Sequence, residues 1–169
     1  MKGRCIMQVK FDGNPLEVQG VQPKVGEKAP NAKLVNAKGE TVELADFLGK
    51  VTIISVIPNV LTRTWELQTK RFDEVTSDKD IQYVTVGRNT VEEFNQWNSD
   101  NELNVTTLTD AEGEFGKAYG LDIDLDGNAL LTRAVFVVDS EGTIQYIEIV
   151  DEVVNEPDYK PALEVAEKL

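Results

Sequence analysis

The chain contains no histidine and a single cysteine, Cys5. Without histidine, a Ser-His-Asp triad, a Cys-His dyad, histidine-ligated haem and most catalytic zinc sites are excluded. One cysteine excludes both an intrachain disulfide and a CxxC redox pair. Positive charge is also scarce, with 17 Lys and Arg against 30 Asp and Glu, a formal net charge of -13. So acidic a surface repels phosphate at long range, which argues against nucleic acid and anionic membranes as partners. Long apolar runs are missing as well. None approaches the roughly 20 residues of a bilayer-spanning helix, and the opening MKGRCIMQVKF lacks the apolar stretch of a secretory signal. A cytoplasmic location is the resulting expectation. What remains is carboxylate, tyrosine or lysine chemistry, oxygen-ligand metals, one lone thiol, or no chemistry.

What is present describes a globular domain. The chain has 169 residues, 41% of them hydrophobic and 28% charged, with no repeats, low-complexity runs or linkers, so 1–169 is expected to form one unit with its own core. Residues 5–11 and 16–22 are β-rich and flank the turn cluster Asp12-Gly13-Asn14-Pro15, which predicts an N-terminal hairpin. Val51 to Ile57 is a continuous β-branched run ending at Pro58, the pattern of a buried central strand. A helix is expected from Trp65 to Val75, capped by Thr62 or Thr64. A second buried strand follows at Ile81 to Val86, then a helix from Thr90 to Trp97 opened by a Thr90/Glu93 capping box. Val105 to Leu108 reads as a strand, and Glu112 to Tyr119 as a helix closed by Gly120. Arg133 to Val138 and Thr143 to Val150 read as paired strands around Asp139-Ser140-Glu141-Gly142, and Pro157 to Leu169 as a terminal helix. Alternating strands and helices with a late hairpin indicate an α/β sandwich built on a mixed sheet.

The stretch VTIISVIPNVLTRTWELQTKRF, residues 51–72, resembles the active-site segment of the thiol peroxidase branch of the peroxiredoxins. In that family a strand ends in Pro, and a Thr lies three residues before the peroxidatic cysteine at the head of a helix. VGEKAPNAKL, FGKAYGL, LLTRAVFVVD and EIVDEVVNEPDY extend the resemblance over essentially the whole chain. It implies a thioredoxin-like fold with an N-terminal hairpin, commonly a homodimer, and hydroperoxide reduction with thioredoxin as reductant. No cofactor or metal is implied. By position, the family's proline is Pro58, its threonine Thr62 and its strand arginine Arg133. The peroxidatic cysteine falls on Trp65, and the resolving cysteine on or beside Trp97. Leu61 and Arg63 also depart from the family, where an acidic and a small residue are usual. The resemblance thus implies a peroxide pocket of Pro58, Thr62, Trp65 and Arg133 without its nucleophile. The expected role is then non-catalytic: a binding, regulatory or dimer-partner protein, with thioredoxin or an active peroxiredoxin relative as partner. The alternatives are a one-cysteine peroxidase using Cys5 and a small-molecule binder in the remodelled cleft.

Other residues are weighed against plainer roles. Cys5 has only Arg4 beside it to lower its pKa, so an ordinary strand residue is expected. Asp122-Ile-Asp124-Leu-Asp126-Gly127 imitates the opening of an EF-hand loop, yet the twelfth position is Arg133 rather than a bidentate Glu, and a strand follows where a helix belongs. A solvated acidic turn is expected there. Asp151, Glu152, Glu156 and Asp158 read as solvated surface. Arg133 is expected to be a pocket residue rather than a rim arginine, stacked on Trp65, and Trp97 a packing residue on the inner side of its helix.

Overall fold

The computed structural model describes residues 8–11, 13–58, 81–100, 102, 105–125, 127–153 and 159–169. Its elements in chain order are β1 (Gln8–Phe11), β2 (Asn14–Glu17), β3 (Lys33–Val35), β4 (Thr41–Glu43), a 3-10 turn at Leu44–Phe47, β5 (Thr52–Val56), β6 (Gln82–Gly87) and α1 (Val91–Asp100). They continue with β7 (Thr106–Thr109), α2 (Glu114–Tyr119), β8 (Asp122–Leu125), β9 (Asn128–Leu131), β10 (Ala134–Val138), β11 (Ile144–Ile149) and α3 (Tyr159–Glu167). The helix expected over Trp65 to Val75 lies outside the described residues, as does the expected start of the last helix at Pro157.

Seven strands form one mixed sheet in the order β11-β10-β5-β6-β7-β3-β4. The β-branched run that makes β5 is buried at all five positions, as a strand flanked on both edges and covered on both faces requires. It pairs parallel with β6 and antiparallel with β10. Alternate residues of these strands feed opposite faces. Ile54, Val56, Val84, Val86, Leu108 and Phe136 share one core with Phe115 and Tyr119 of α2. Ile53, Val135 and Val137 pack with Ala162 and Ala166 of α3, and Ile57 packs with Phe94 and Trp97 of α1.

The N-terminal hairpin forms with a tighter turn than expected. Phe11 pairs with Asn14, and Gly13 takes the positive φ of 83° that tight hairpin turns demand. Pro15 sits opposite Lys10. The backbone N–H and C=O of Lys10 both point away from β2, toward Asp151 and Val153, so the missing N–H of Pro15 costs the ladder nothing. The second strand stops at Glu17 rather than continuing to residue 22. Gly20 adopts φ +93°, and a Cβ there would stand 3.0 Å from the backbone of Gly120.

Two pairings were not expected. Lys33–Val35 and Thr41–Glu43 join the sheet as a short edge hairpin. Asp122 to Gly127, expected as an acidic turn, instead begins a separate two-stranded sheet in which β8 pairs with β9. The acidic residues alternate with Ile and Leu, and that period of two is a strand pattern: Ile123 is buried while Asp124 is exposed.

Candidate functional site

β5 is the strand that positions the site. Its last ladder bond runs from Ile57 N to Val86 O at 3.0 Å. Pro58, buried and without an N–H, ends the strand there. On the other side the antiparallel register closes with Ala134 opposite Val56, so Thr132 and Arg133 fall just past the last pair, against the exit of β5. The chain leaves β5 for its parallel neighbour β6 on one side, while β10 arrives on the other. That reversal of strand order at the carboxyl end of a strand is where open α/β sheets place ligands.

Arg133 is the bulkiest fully buried side chain among the described residues, 1% exposed. This rules out a rim arginine with its head in water. Its Nε donates to Val153 O at 2.8 Å, while its own carbonyl accepts from Val150 N at 3.0 Å. Trp97 is 7% exposed and clusters with Phe94 and Ile57, the residue preceding Pro58. The structure thus brings Pro58, Arg133 and the Trp97 cluster to one end of β5. Thr62, Trp65 and Cys5 lie outside the described residues, and so does the expected stacking of Arg133 on Trp65.

The helix carrying Trp97 begins as expected. Thr90 N donates to Glu93 Oε1 at 2.9 Å and Glu93 N to Thr90 Oγ1 at 3.1 Å, a reciprocal capping box. Asn89 Nδ2 adds a third bond to Glu93 at 3.1 Å. The Thr90 N–H and then the Asn89 amide hold the Glu93 carboxyl below its ordinary pKa, against a smaller desolvation effect that raises it. Of the chemistry left open by composition, Tyr119 contributes none. Burial pushes its phenol well above the usual tyrosine pKa, and the neutral hydroxyl donates to Pro30 O at 2.7 Å.

A charged cluster that the sequence reading missed lies at the carboxyl ends of β6 and β7. Arg88 follows β6 and Asp110 follows β7. Arg88 Nε bonds Asp110 Oδ2 at 3.1 Å, and its Nη2 bonds Asp122 Oδ1 at 2.5 Å. Asp110 is fully buried and also accepts two N–H groups of the first turn of α2, from Phe115 and Gly116, each at 3.0 Å. One buried carboxylate therefore caps a helix and binds a guanidinium, satisfying both lone-pair-bearing oxygens with donors. A usable signal was present, since an acidic residue just before a helix is a capping pattern. The partners across the fold carried none.

The acidic motif is thereby accounted for. Asp122 is engaged by Arg88, and Asp124 Oδ1 accepts from Gly127 N at 2.8 Å to close the β8–β9 turn. Asp126 lies outside the described residues. Asp122 is thus an ion-paired strand residue and not part of a solvated turn. Glu152 is also more than solvated surface, because its Oε2 accepts from Gly13 N at 3.1 Å. Glu156 and Asp158 lie outside the described residues. Among the described residues no helix is long and apolar enough to cross a membrane.

The Redoxin family model matches residues 24–163. A thiol peroxidase of Listeria innocua is 40% identical over 164 residues, covering 95% of this chain and 98% of that protein. A thiol peroxidase of Bacillus subtilis is 36% identical over 165 residues, covering 96% and 98%. Among solved structures, a peroxiredoxin-like protein from Aquifex aeolicus superposes with a TM-score of 0.87 at 26% identity, covering 98% of this chain and 99% of that one. A thiol peroxidase from Chromobacterium violaceum superposes with a TM-score of 0.85 at 17% identity, covering 96% of each chain. The fold is accordingly the thioredoxin-like one, with a mixed central sheet and an N-terminal hairpin.

Proposed function

Because the chain belongs to the thiol peroxidase family of the redoxins, we propose that it is a member that has given up hydroperoxide reduction and acts by binding. One observation carries this reading: the sole cysteine is Cys5, whereas the family resemblance puts the peroxidatic position on Trp65 and the resolving position on or beside Trp97. Peroxide reduction requires a thiolate to attack one peroxide oxygen. The O–O bond breaks, the other oxygen departs as hydroxide or alkoxide, and sulfur is left as sulfenic acid. Pro58, Thr62 and Arg133 would shape the pocket and stabilise charge on those oxygens, but none supplies the electron pair. Indole offers no comparable nucleophile, and a ring of the size that buries roughly 150–250 Å² would take the volume a peroxide needs. The buried Arg133 beside the exit of β5 supports a pocket whose helpers persist. In this reading the chain works as one cytoplasmic domain, as a homodimer or paired with an active relative or thioredoxin, without metal or cofactor.

A thioredoxin-coupled assay with hydrogen peroxide and an organic hydroperoxide tests this. Wild type is expected to consume neither, and Trp65→Cys to gain turnover together with a trappable sulfenic acid. Consumption by wild type that disappears in Cys5→Ala would overturn the reading in favour of a one-cysteine peroxidase.

A further inference from the structure

Arg133 holds the four-residue stretch after β11 at both ends. Its carbonyl accepts from Val150 N at 3.0 Å, and its Nε donates to Val153 O at 2.8 Å. The same stretch holds the N-terminal hairpin. Lys10 N donates to Asp151 O at 2.7 Å, Val153 N donates to Lys10 O at 2.7 Å, and Gly13 N reaches Glu152 Oε2 at 3.1 Å. Beneath these bonds Val9, Val18, Ile123 and Val153 form a small core of their own, apart from the main one. Val153 is thus shared: its carbonyl belongs to the guanidinium, its N–H to β1 and its side chain to the hairpin's core.

We infer that Arg133 couples the site at the end of β5 to the docking of the N-terminal hairpin, with Val153 as the link. A hydrogen bond from a guanidinium is about twice as strong as a neutral one, and a fully buried guanidinium deprived of an acceptor is strongly unfavourable. Arg133 therefore fixes the peptide that follows the Val153 Cα, while the N–H that binds Lys10 belongs to the peptide that precedes it. The two planes meet at one Cα whose side chain is buried, so a shift of one is passed to the other. Coupling of this kind is reciprocal: what disturbs the hairpin reaches the guanidinium, and what draws the guanidinium away reaches the hairpin. It also gives Arg133 a reason to be present in a chain whose peroxidatic position is Trp65. The coupling is independent of the functional reading, because peroxide turnover by wild type would overturn that reading and leave the bonds at Val153 untouched.

Hydrogen exchange on the isotope-labelled full chain tests it from both sides. Arg133→Lys keeps the charge and removes the Nε donor. The amides of Lys10 and Val153 are expected to exchange at least about tenfold faster, while those of Ile54 and Val84 stay unchanged. From the other side, Lys10→Pro deletes the N–H that binds Asp151 and spares the β1–β2 ladder, since the polar groups of Lys10 face away from β2. In that variant the Nε proton of Arg133, followed directly by NMR, is expected to exchange about tenfold faster with water. Unchanged exchange at Lys10 and Val153 in folded Arg133→Lys would overturn the inference. So would an Arg133 Nε proton indifferent to Lys10→Pro, and this second measurement decides the matter where Arg133→Lys does not fold.

Discussion

Replacing Asp110 by alanine is expected to be among the most damaging single changes available to this fold. The carboxylate is fully buried and accepts three bonds, from Phe115 N and Gly116 N at 3.0 Å and from Arg88 Nε at 3.1 Å. Hydrogen bonds to charged groups contribute about 1.5–3 kcal/mol each, so three give an upper bound of about 4.5–9 kcal/mol. The bonds share one carboxylate and are not independent. Arg88 also keeps Asp122 as a partner, and its side chain is 15% exposed. The expected loss is therefore about 3–5 kcal/mol, the usual cost of removing one partner from a buried pair. With a urea m-value of about 2 kcal/mol/M, the midpoint should fall by roughly 2 M. Urea unfolding at neutral pH, followed by tryptophan fluorescence and far-UV circular dichroism together, measures this. Asp122→Ala is the internal control. Its side chain is 25% exposed and it caps no helix, so a loss of about 1 kcal/mol or less is expected. A loss below about 1 kcal/mol for Asp110→Ala, or equal losses for the two variants, would refute the assignment of Asp110 as the centre of the cluster.

Two further outcomes follow from single side chains. The Glu93 carboxyl is held below its ordinary pKa of 4.5 by the Thr90 N–H and the Asn89 amide. A group whose folded pKa is depressed stabilises above its unfolded pKa and loses that contribution as pH falls through the folded value. The stability difference between wild type and Glu93→Gln should thus be present at neutral pH and fade below about pH 4.5, and a pH-independent difference in thermal unfolding would contradict it. Thr85 is fully buried in β6, and its hydroxyl has no hydrogen-bond partner among the described residues. Thr85→Val removes an unmatched polar atom while keeping the shape, so a gain of about 1 kcal/mol in urea unfolding is expected; a loss would show that the hydroxyl is satisfied in solution.

The elements that could be read from the sequence are those whose causes are local. β5 announces itself by five consecutive buried positions, and α1 by a capping box three residues wide. The short strands β3 and β4 were missed because three residues with a single buried one, Leu34 or none, leave too little pattern to detect. The hairpin of β8 and β9 was misread because its aspartates match a metal-loop spacing, while the intervening apolar residues carried the true period. Arg88 was silent because its partners are 22 and 34 positions away. Arg133 was legible as a buried residue through its place in the family's pattern. Its grip on Val153 was not, because the acceptor is a backbone carbonyl 20 positions on, and any residue type supplies one.

Gly116 sits in the first turn of α2, where a helix would ordinarily gain from alanine. A Cβ at that position would stand 2.1 Å from Asp122 Oδ1, 2.5 Å from Arg88 Nη2 and 2.9 Å from Leu131 Cδ2. The ion pair passes directly over the glycine, so the smallest residue is the floor on which two charges meet. A protein engineer replacing helical glycines by alanine would select this site early and would be penalised for it. The substitution would have to displace Arg88, and with it the partner that Asp110 and Asp122 share. Positions of this kind mark where a backbone has been brought close so that side chains from distant strands can touch. They set a limit on how far the scaffold can be hardened without first rebuilding its charges.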